Sequence, residues 1–280
     1  MKNDSSHIYS YRAVAFLDVL GFQNKLSEFE NEAIEFHNNF QDDDEFASPY
    51  YYSKKADEFI ETFNTAISKL DTNKFSYYLF SDNICITANN TYIEGESTLI
   101  ELLLIISELY FEFVQKGYFL RGGIDYGLFI DQASVALGVP LATAYKMESY
   151  LAVFPRIILS DSFVNQLQVY LSEDEKKYQS LLAENLILKS CEIKYLNIFN
   201  HIFKVDDKEY YFELFSSNIS ENIIANKNKE SIFLKYKWLA DEFNNFIEQY
   251  TSELAYYDDD IEVTEEHLNT VKKFAINYGQ

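Results

Sequence analysis

The pattern of apolar and polar positions along the chain alternates between short strand-like runs and longer helical stretches. Arg12–Asp18 (RAVAFLD) is a compact apolar run rich in strand formers, and after Gly21 a helical pattern extends to about Phe36. Residues 38–53 lose that periodicity in an acidic stretch with Pro49 and three tyrosines, which is expected to be a surface insertion. Helix resumes over Ala56–Leu70. Two apolar runs, Phe75–Phe80 and Ile84–Thr87, flank Ser81-Asp82-Asn83, whose turn chemistry predicts a hairpin.

A helix is predicted over Leu99–Lys116, then a strand near Arg121–Ile130, a helix over Leu141–Ala152, a strand at Arg156–Leu159 and another helix. Runs at Glu192–Leu196, Ile202–Val205 and Tyr210–Phe215 read as strands, the last two paired across Asp206–Glu209. Glu230–Tyr250 and Glu265–Ile276 read as helices. This order predicts an α+β fold of ferredoxin-like character, a mostly antiparallel central sheet with helices. Residues 1–225 are expected to form the main domain, and 226–280 a helical C-terminal extension packed on it.

Composition narrows the picture. With 48% apolar residues, 24 Phe and 23 Tyr, the 280-residue chain can fill a large, ring-rich core. The net charge of -22 repels a phosphate backbone, so no nucleic-acid partner is expected. Lys116 to Ser160 departs from this balance, with Lys116, Arg121, Lys146 and Arg156 against Asp125, Asp131 and Glu148. A phosphate-bearing ligand is tolerated best there.

The greasiest stretch, Leu99–Val114, carries Glu101, Glu108 and Glu112 along one side, the mark of an amphipathic core helix and not of a membrane span. No membrane association is expected. The polar N-terminus lacks the apolar segment of a signal peptide, and a cytoplasmic protein is expected. Cys85 and Cys191, both in apolar runs, are expected in the core, and the four histidines are too scattered to share a metal.

Asp18 ends five consecutive apolar residues. A carboxylate there either caps the following helix or holds a cation. Gly21 lets the next turn approach a ligand closely, and the helix behind it offers unpaired N–H groups to phosphate oxygens. Asp82 at the hairpin tip reads as a turn former, or as a second carboxylate if its strand neighbours that of Asp18.

Phe16-Leu17-Asp18-Val19-Leu20-Gly21-Phe22 resembles the first metal motif of the class III nucleotidyl cyclases, and Phe80-Ser81-Asp82 the second, with Ser81 where glycine is usual. Arg121-Gly122-Gly123-Ile124 is similar to the family's arginine–glycine–isoleucine strand, and Gly138–Ser149 to its dimer-interface helix. The four motifs occur in family order over about 150 residues. Taken with Pro155-Arg156-Ile157, the set is closest to the Pycsar-type bacterial pyrimidine cyclases.

The resemblance implies a fold and a site. It implies a class III cyclase sandwich that forms a homodimer with composite active sites and converts a nucleoside triphosphate to the 3′,5′-cyclic monophosphate and pyrophosphate. It implies two Mg2+ or Mn2+ ions per active site on Asp18, Asp82 and the Val19 carbonyl, with the backbone of Val19, Leu20, Gly21 and Phe22 on the phosphates. Ala142 and Lys146 stand where the family has Asn and Arg, so Lys146, Arg121 and Arg156 are the catalytic cations available. Tyr78 and Val135 stand at the base-selecting positions in place of Lys and Asp, and a bulky ring there favours a pyrimidine, UTP or CTP. The Pycsar resemblance places such an enzyme in antiphage signalling. Two other readings stay open: a cyclase-like nucleotide-binding or dimerisation module without turnover, and a palm-type polymerase or diguanylate cyclase, which usually has two acids at the hairpin tip where this chain has Asp82-Asn83.

Overall fold

The computed structural model describes residues 8–41, 50–89, 92–93, 96–132, 135–171, 186–257 and 263–278. The acidic runs at Asp42–Asp44 and Asp258–Asp260, and half of the 38–53 insertion, lie outside them. The described part of that segment differs from expectation at its start, because the first helix continues through Gln41. Tyr51 stacks on His37 at 4.2 Å and Tyr52 packs edge-on to Phe36, so these tyrosines fold back on that helix.

The elements run β1 (Ser10–Val19), α1 (Phe22–Gln41), α2 (Lys54–Ser68), β2 (Phe75–Phe80), β3 (Asn83–Asn89), a small ribbon of β4 (Tyr92–Ile93) and β5 (Glu96–Ser97), and α3 (Thr98–Val114). They continue with β6 (Leu120–Gln132), β7 (Val135–Gly138), α4 (Val139–Lys146) with a π-helical turn (Met147–Leu151), β8 (Ile157–Leu159) and α5 (Asp161–Leu171). The remainder is β9 (Ile187–Ser190), β10 (Ile193–Leu196), a 3-10 turn (Ile198–Lys204), α6 (Lys208–Ala225), α7 (Glu230–Ser252) and α8 (Glu265–Lys273). The fold is α+β. Its main sheet has the order β2-β3-β1-β6-β8-β10-β9 with β7 paired to β6, and every pairing is antiparallel except β6 with β8.

β1 is central, and its alternation divides the molecule into two faces. Ala13, Ala15, Leu17 and Val19 join the large helical core, while Val14 packs with Cys85 and Phe129 on the other face. The nearly all-apolar α3 lies in that core. Its three glutamates do line a polar side, where Glu101 meets Lys74 at 2.8 Å and Lys69 meets both Glu108 and Glu112. Among the described residues, no helix is long and apolar enough to cross a membrane.

Two of the expected strands are helical. Ile202–Val205 belongs mostly to the 3-10 turn, and Tyr210–Phe215 lies within α6. Tyr211, Phe212, Phe215, Ile219 and Ile223 fall on one helical face, and all are buried. Asp207 caps that helix by accepting the Tyr210 N–H at 2.9 Å. Rings at this spacing satisfy either period over a short window, and packing against Phe199, Phe243 and Phe246 decides for helix. Burying each such ring contributes about 1.5–3 kcal/mol. Cys85 is buried as expected, whereas Cys191 is exposed in the β9–β10 turn at φ 55°.

On the second face, β7 delivers the chain into α4, which folds back over β6 and β1. Gly123 permits this: a methyl group on it would sit 2.6 Å from the Ala144 carbonyl oxygen and 2.8 Å from Met147 Cβ. Helix and sheet are therefore in backbone contact.

Candidate active site

The site forms at one end of the central strands. In the sheet register Asp18 lies between Asn83 of β3 and Arg121 of β6, so the β2–β3 hairpin tip carrying Asp82 stands beside it. Ser81 turns that hairpin at φ 56°, a left-handed conformation that glycine adopts without cost. Gly21 turns the β1–α1 connection at φ 77°, with nothing within 4 Å of a notional Cβ. The glycine is there for its backbone angle and not for lack of room.

Arg121 holds the cluster together. Its Nε donates to Asp18 Oδ2 at 2.9 Å, and its Nη2 forms ion pairs with the same oxygen at 2.8 Å and with Glu148 Oε1 at 2.7 Å. Glu148 comes from the π-helical turn after α4 and is 4% exposed. Burial pushes the Asp18 carboxyl up to about 7. The hydrogen bond and charge of Arg121 oppose that rise, and the charges of Asp82 and Glu148 add to it. One guanidinium thus contacts two carboxyl groups, Asp18 and Glu148, while the Asp82 charge also acts on Asp18, and the cluster is short of positive charge.

That shortage bears on whether a divalent cation suits the site. Carboxylate oxygens are hard donors that match Mg2+ or Mn2+. Asp18 is a partly desolvated carboxylate that a nearby cation would stabilise as the anion. Among the described residues no group of three or more His, Cys, Asp or Glu side chains is gathered as a ready-made cage. Asp18 and Asp82 with backbone carbonyls therefore fit a cation shared with a ligand's own oxygens better than a closed structural site.

The other residues singled out from the sequence divide. Tyr78 and Val135 do come together, the Tyr78 hydroxyl donating to Asp131 Oδ1 at 2.5 Å and lying 3.4 Å from the Val135 carbonyl. Asp131 also accepts from Thr87 and pairs with Arg12 Nη1 at 2.8 Å. Burial would raise the Asp131 carboxyl, but those hydrogen bonds and the Arg12 charge outweigh it and hold it low. Lys146 and Ala142 are exposed on α4 beside Tyr145, whose ring stands edge-on to Phe16 at 5.5 Å. Of the turn that follows Asp18, the Leu20 N–H is already donated to the Phe119 carbonyl at 2.8 Å, so it is not offered to a phosphate. Val19 is buried, and Gly21 and Phe22 lead into the first turn of α1.

Arg156 lies elsewhere. Its guanidinium sits over the rings of Phe154, Tyr195 and Trp238 at 5.5–5.7 Å and donates to the Leu151 carbonyl at 3.3 Å. It braces β8 and β10 against α7, and the structure does not bring it to Asp18.

Three contributors escaped sequence reasoning. Glu148 and Asp131 enter the sequence reading only as charges, and Arg12 has no motif around it. Lys235 is a fourth residue of interest, on α7, more than 200 positions from Asp18. The adjacent Tyr236 packs edge-on to Phe119 at 5.5 Å, which brings this helix to the end of β6. Burial lowers the Lys235 pKa, the Arg121 charge lowers it further, and Asp18 works against both. Nothing in the local sequence marks it.

No family model matches the chain, and no curated protein does. Solved structures with a similar arrangement include the catalytic core of a rhodopsin-guanylyl cyclase with converted specificity in complex with ATPalphaS, 15% identical over 57% of this chain and 82% of that one, with a TM-score of 0.38. The guanylyl cyclase Cya2 is 12% identical over 57% and 79% at a TM-score of 0.35. A monomeric double mutant of the guanylyl cyclase domain of RhoGC, from the aquatic fungus Blastocladiella emersonii, is 12% identical over 67% and 93% at 0.39. At such scores and identities the functional reading rests on this chain's own residues.

Proposed function

We propose that this protein is a nucleotidyl cyclase of the class III type, acting on UTP or CTP as part of antiphage signalling. The observation that carries the reading is the placement of Asp18, at the end of a buried central strand, beside the Asp82 turn and under the glycine turn that opens α1. Asp18, Asp82 and the Val19 carbonyl are the groups that would hold two Mg2+ or Mn2+ ions. When bound, such ions acidify a ribose hydroxyl and neutralise triphosphate charge.

The chain's own residues do the rest. The N–H groups of Gly21 and Phe22, at the positive end of α1, meet phosphate oxygens. The 3′-hydroxyl oxygen bonds to the α-phosphorus, the bond from that phosphorus to the bridging oxygen breaks, pyrophosphate leaves, and the hydroxyl proton passes to solvent. Tyr78, with Val135 beside it, lines the base pocket, and its ring leaves room for a pyrimidine. Lys146, exposed on α4 among the exposed Val139, Tyr145 and Tyr150, serves the partner's site in a homodimer. Arg121 remains within the cluster that Asp18 and Glu148 form.

Ala142 supports a second reading, a nucleotide-binding or dimerisation module without turnover, because alanine cannot orient a ribose. One experiment separates the two. The purified chain is incubated with each of the four nucleoside triphosphates and Mn2+, and products are identified by mass spectrometry. The proposal expects a 3′,5′-cyclic pyrimidine nucleotide, lost on Asp18→Asn and on Asp82→Asn. Nucleotide binding without any product selects the module, and product that survives both substitutions rejects the site.

A further inference from the structure

The reading of Asp18 as a cation ligand leaves a problem that the structure resolves. Arg121 occupies Asp18 Oδ2 with two nitrogens, so a divalent ion entering there meets a guanidinium already in place. Like charges at contact distance are costly in a partly buried site. Expelling Arg121 without a partner would leave a desolvated charge unpaired. The guanidinium needs somewhere to go, and that place is already in contact with it.

We propose that Glu148 is a positioning residue that sets the divalent-cation affinity of Asp18 by receiving Arg121 when the ion enters. Four observations support this. The Arg121 Nη2 is shared almost equally, 2.8 Å from Asp18 and 2.7 Å from Glu148, so a small side-chain movement completes the transfer. Glu148 Oε1 is buried and, despite that ion contact, has no hydrogen bond of good geometry, which leaves it free to accept one. Its other oxygen is anchored by the Ser149 hydroxyl at 2.7 Å, so the carboxylate stays in position while its open oxygen waits. A π-helical turn carries the residue, and such turns inside helices often mark functional positions.

The inference rests on the proposed cation site, and its test reports binding and not turnover. Mn2+ affinity of the full chain is measured by electron paramagnetic resonance for wild type, Asp18→Asn, Glu148→Gln, Glu148→Asp, Arg121→Met and the Glu148→Gln/Arg121→Met pair. Circular dichroism and gel filtration verify folding. Removing the support of a ligand carboxylate typically weakens metal affinity by about 10–100-fold, and Glu148→Gln is expected to do so. Glu148→Asp keeps the charge but withdraws the contact, and it is expected to weaken binding as well, which provides a second reading if Glu148→Gln does not fold. In the Arg121→Met background the Glu148→Gln effect is expected to vanish. An equal effect in both backgrounds, or none in either, overturns the role of Glu148. Absence of Mn2+ binding that depends on Asp18 in wild type overturns the cation site itself.

Discussion

Gly123→Ala tests how the second face of the sheet is built. Gly123 lies opposite Phe16 in β6, beneath the junction of α4 and the π-helical turn. The added methyl would stand 2.6 Å from the Ala144 carbonyl oxygen, 2.8 Å from Met147 Cβ and 3.0 Å from Met147 Cε. Two of those three atoms belong to the helix backbone or its first side-chain carbon, so rotation of a side chain cannot relieve the clash. The whole α4 segment must lift. Inserting a methyl group into a packed contact of this kind costs about 1–3 kcal/mol. For a chain of this size that is a drop of about 2–5 °C in melting temperature. Gly127→Ala is the internal control, since its methyl would meet only the Pro140 ring, at 3.0 Å. A loss below about 1 kcal/mol is expected there. Thermal and guanidinium unfolding, followed by circular dichroism, reads both variants. Lifting α4 also draws Glu148 from Arg121, so Mn2+ affinity should fall with stability in Gly123→Ala. An alanine at 123 as stable as wild type, or a control that is equally damaging, refutes the close-contact reasoning.

Two further predictions concern other residues. Burial lowers the His201 imidazole to about 4, its ring lying 5.1 Å from Phe111. The depressed value means the folded state favours the neutral ring. Its contribution is full above about pH 6.5 and is lost as pH falls toward 4, a difference of about 3 kcal/mol. His201→Gln should flatten the unfolding free energy across that window relative to wild type, and parallel curves would refute the burial argument. Lys146→Ala, at an exposed position, should leave stability within about 0.5 kcal/mol. Cyclic product should nevertheless fall at least tenfold, and mixing Lys146→Ala with Asp18→Asn chains should restore product that neither makes alone.

The sequence foretold the elements whose local signals agree with their packing. The apolar run into Asp18, the Ser81-Asp82-Asn83 hairpin and the glutamate stripe on α3 each stand where expected, because period, turn chemistry and burial point the same way. Tyr210–Phe215 went the other way: dense rings read as a strand over six residues, and only the partner rings of α7, about 30 positions later, reveal the helical face. The site divides along the same line. Asp18, Asp82 and Gly21 lie in or beside turns with readable chemistry, so they were legible. Glu148 and Lys235 reach the cluster through tertiary packing, one through a helix laid on glycines and the other through α7 against Phe119. Arg156 shows the converse, a cation placed beside the right motif whose side chain is drawn into an aromatic box by residues distant in sequence.

A direct measurement is the anomalous difference map of a crystal soaked in Mn2+ and a non-hydrolysable triphosphate. The account predicts a peak coordinated by the carboxylates of both Asp18 and Asp82, with the Arg121 guanidinium moved onto Glu148. A map without manganese between those two aspartates, with Arg121 still on Asp18, would contradict it.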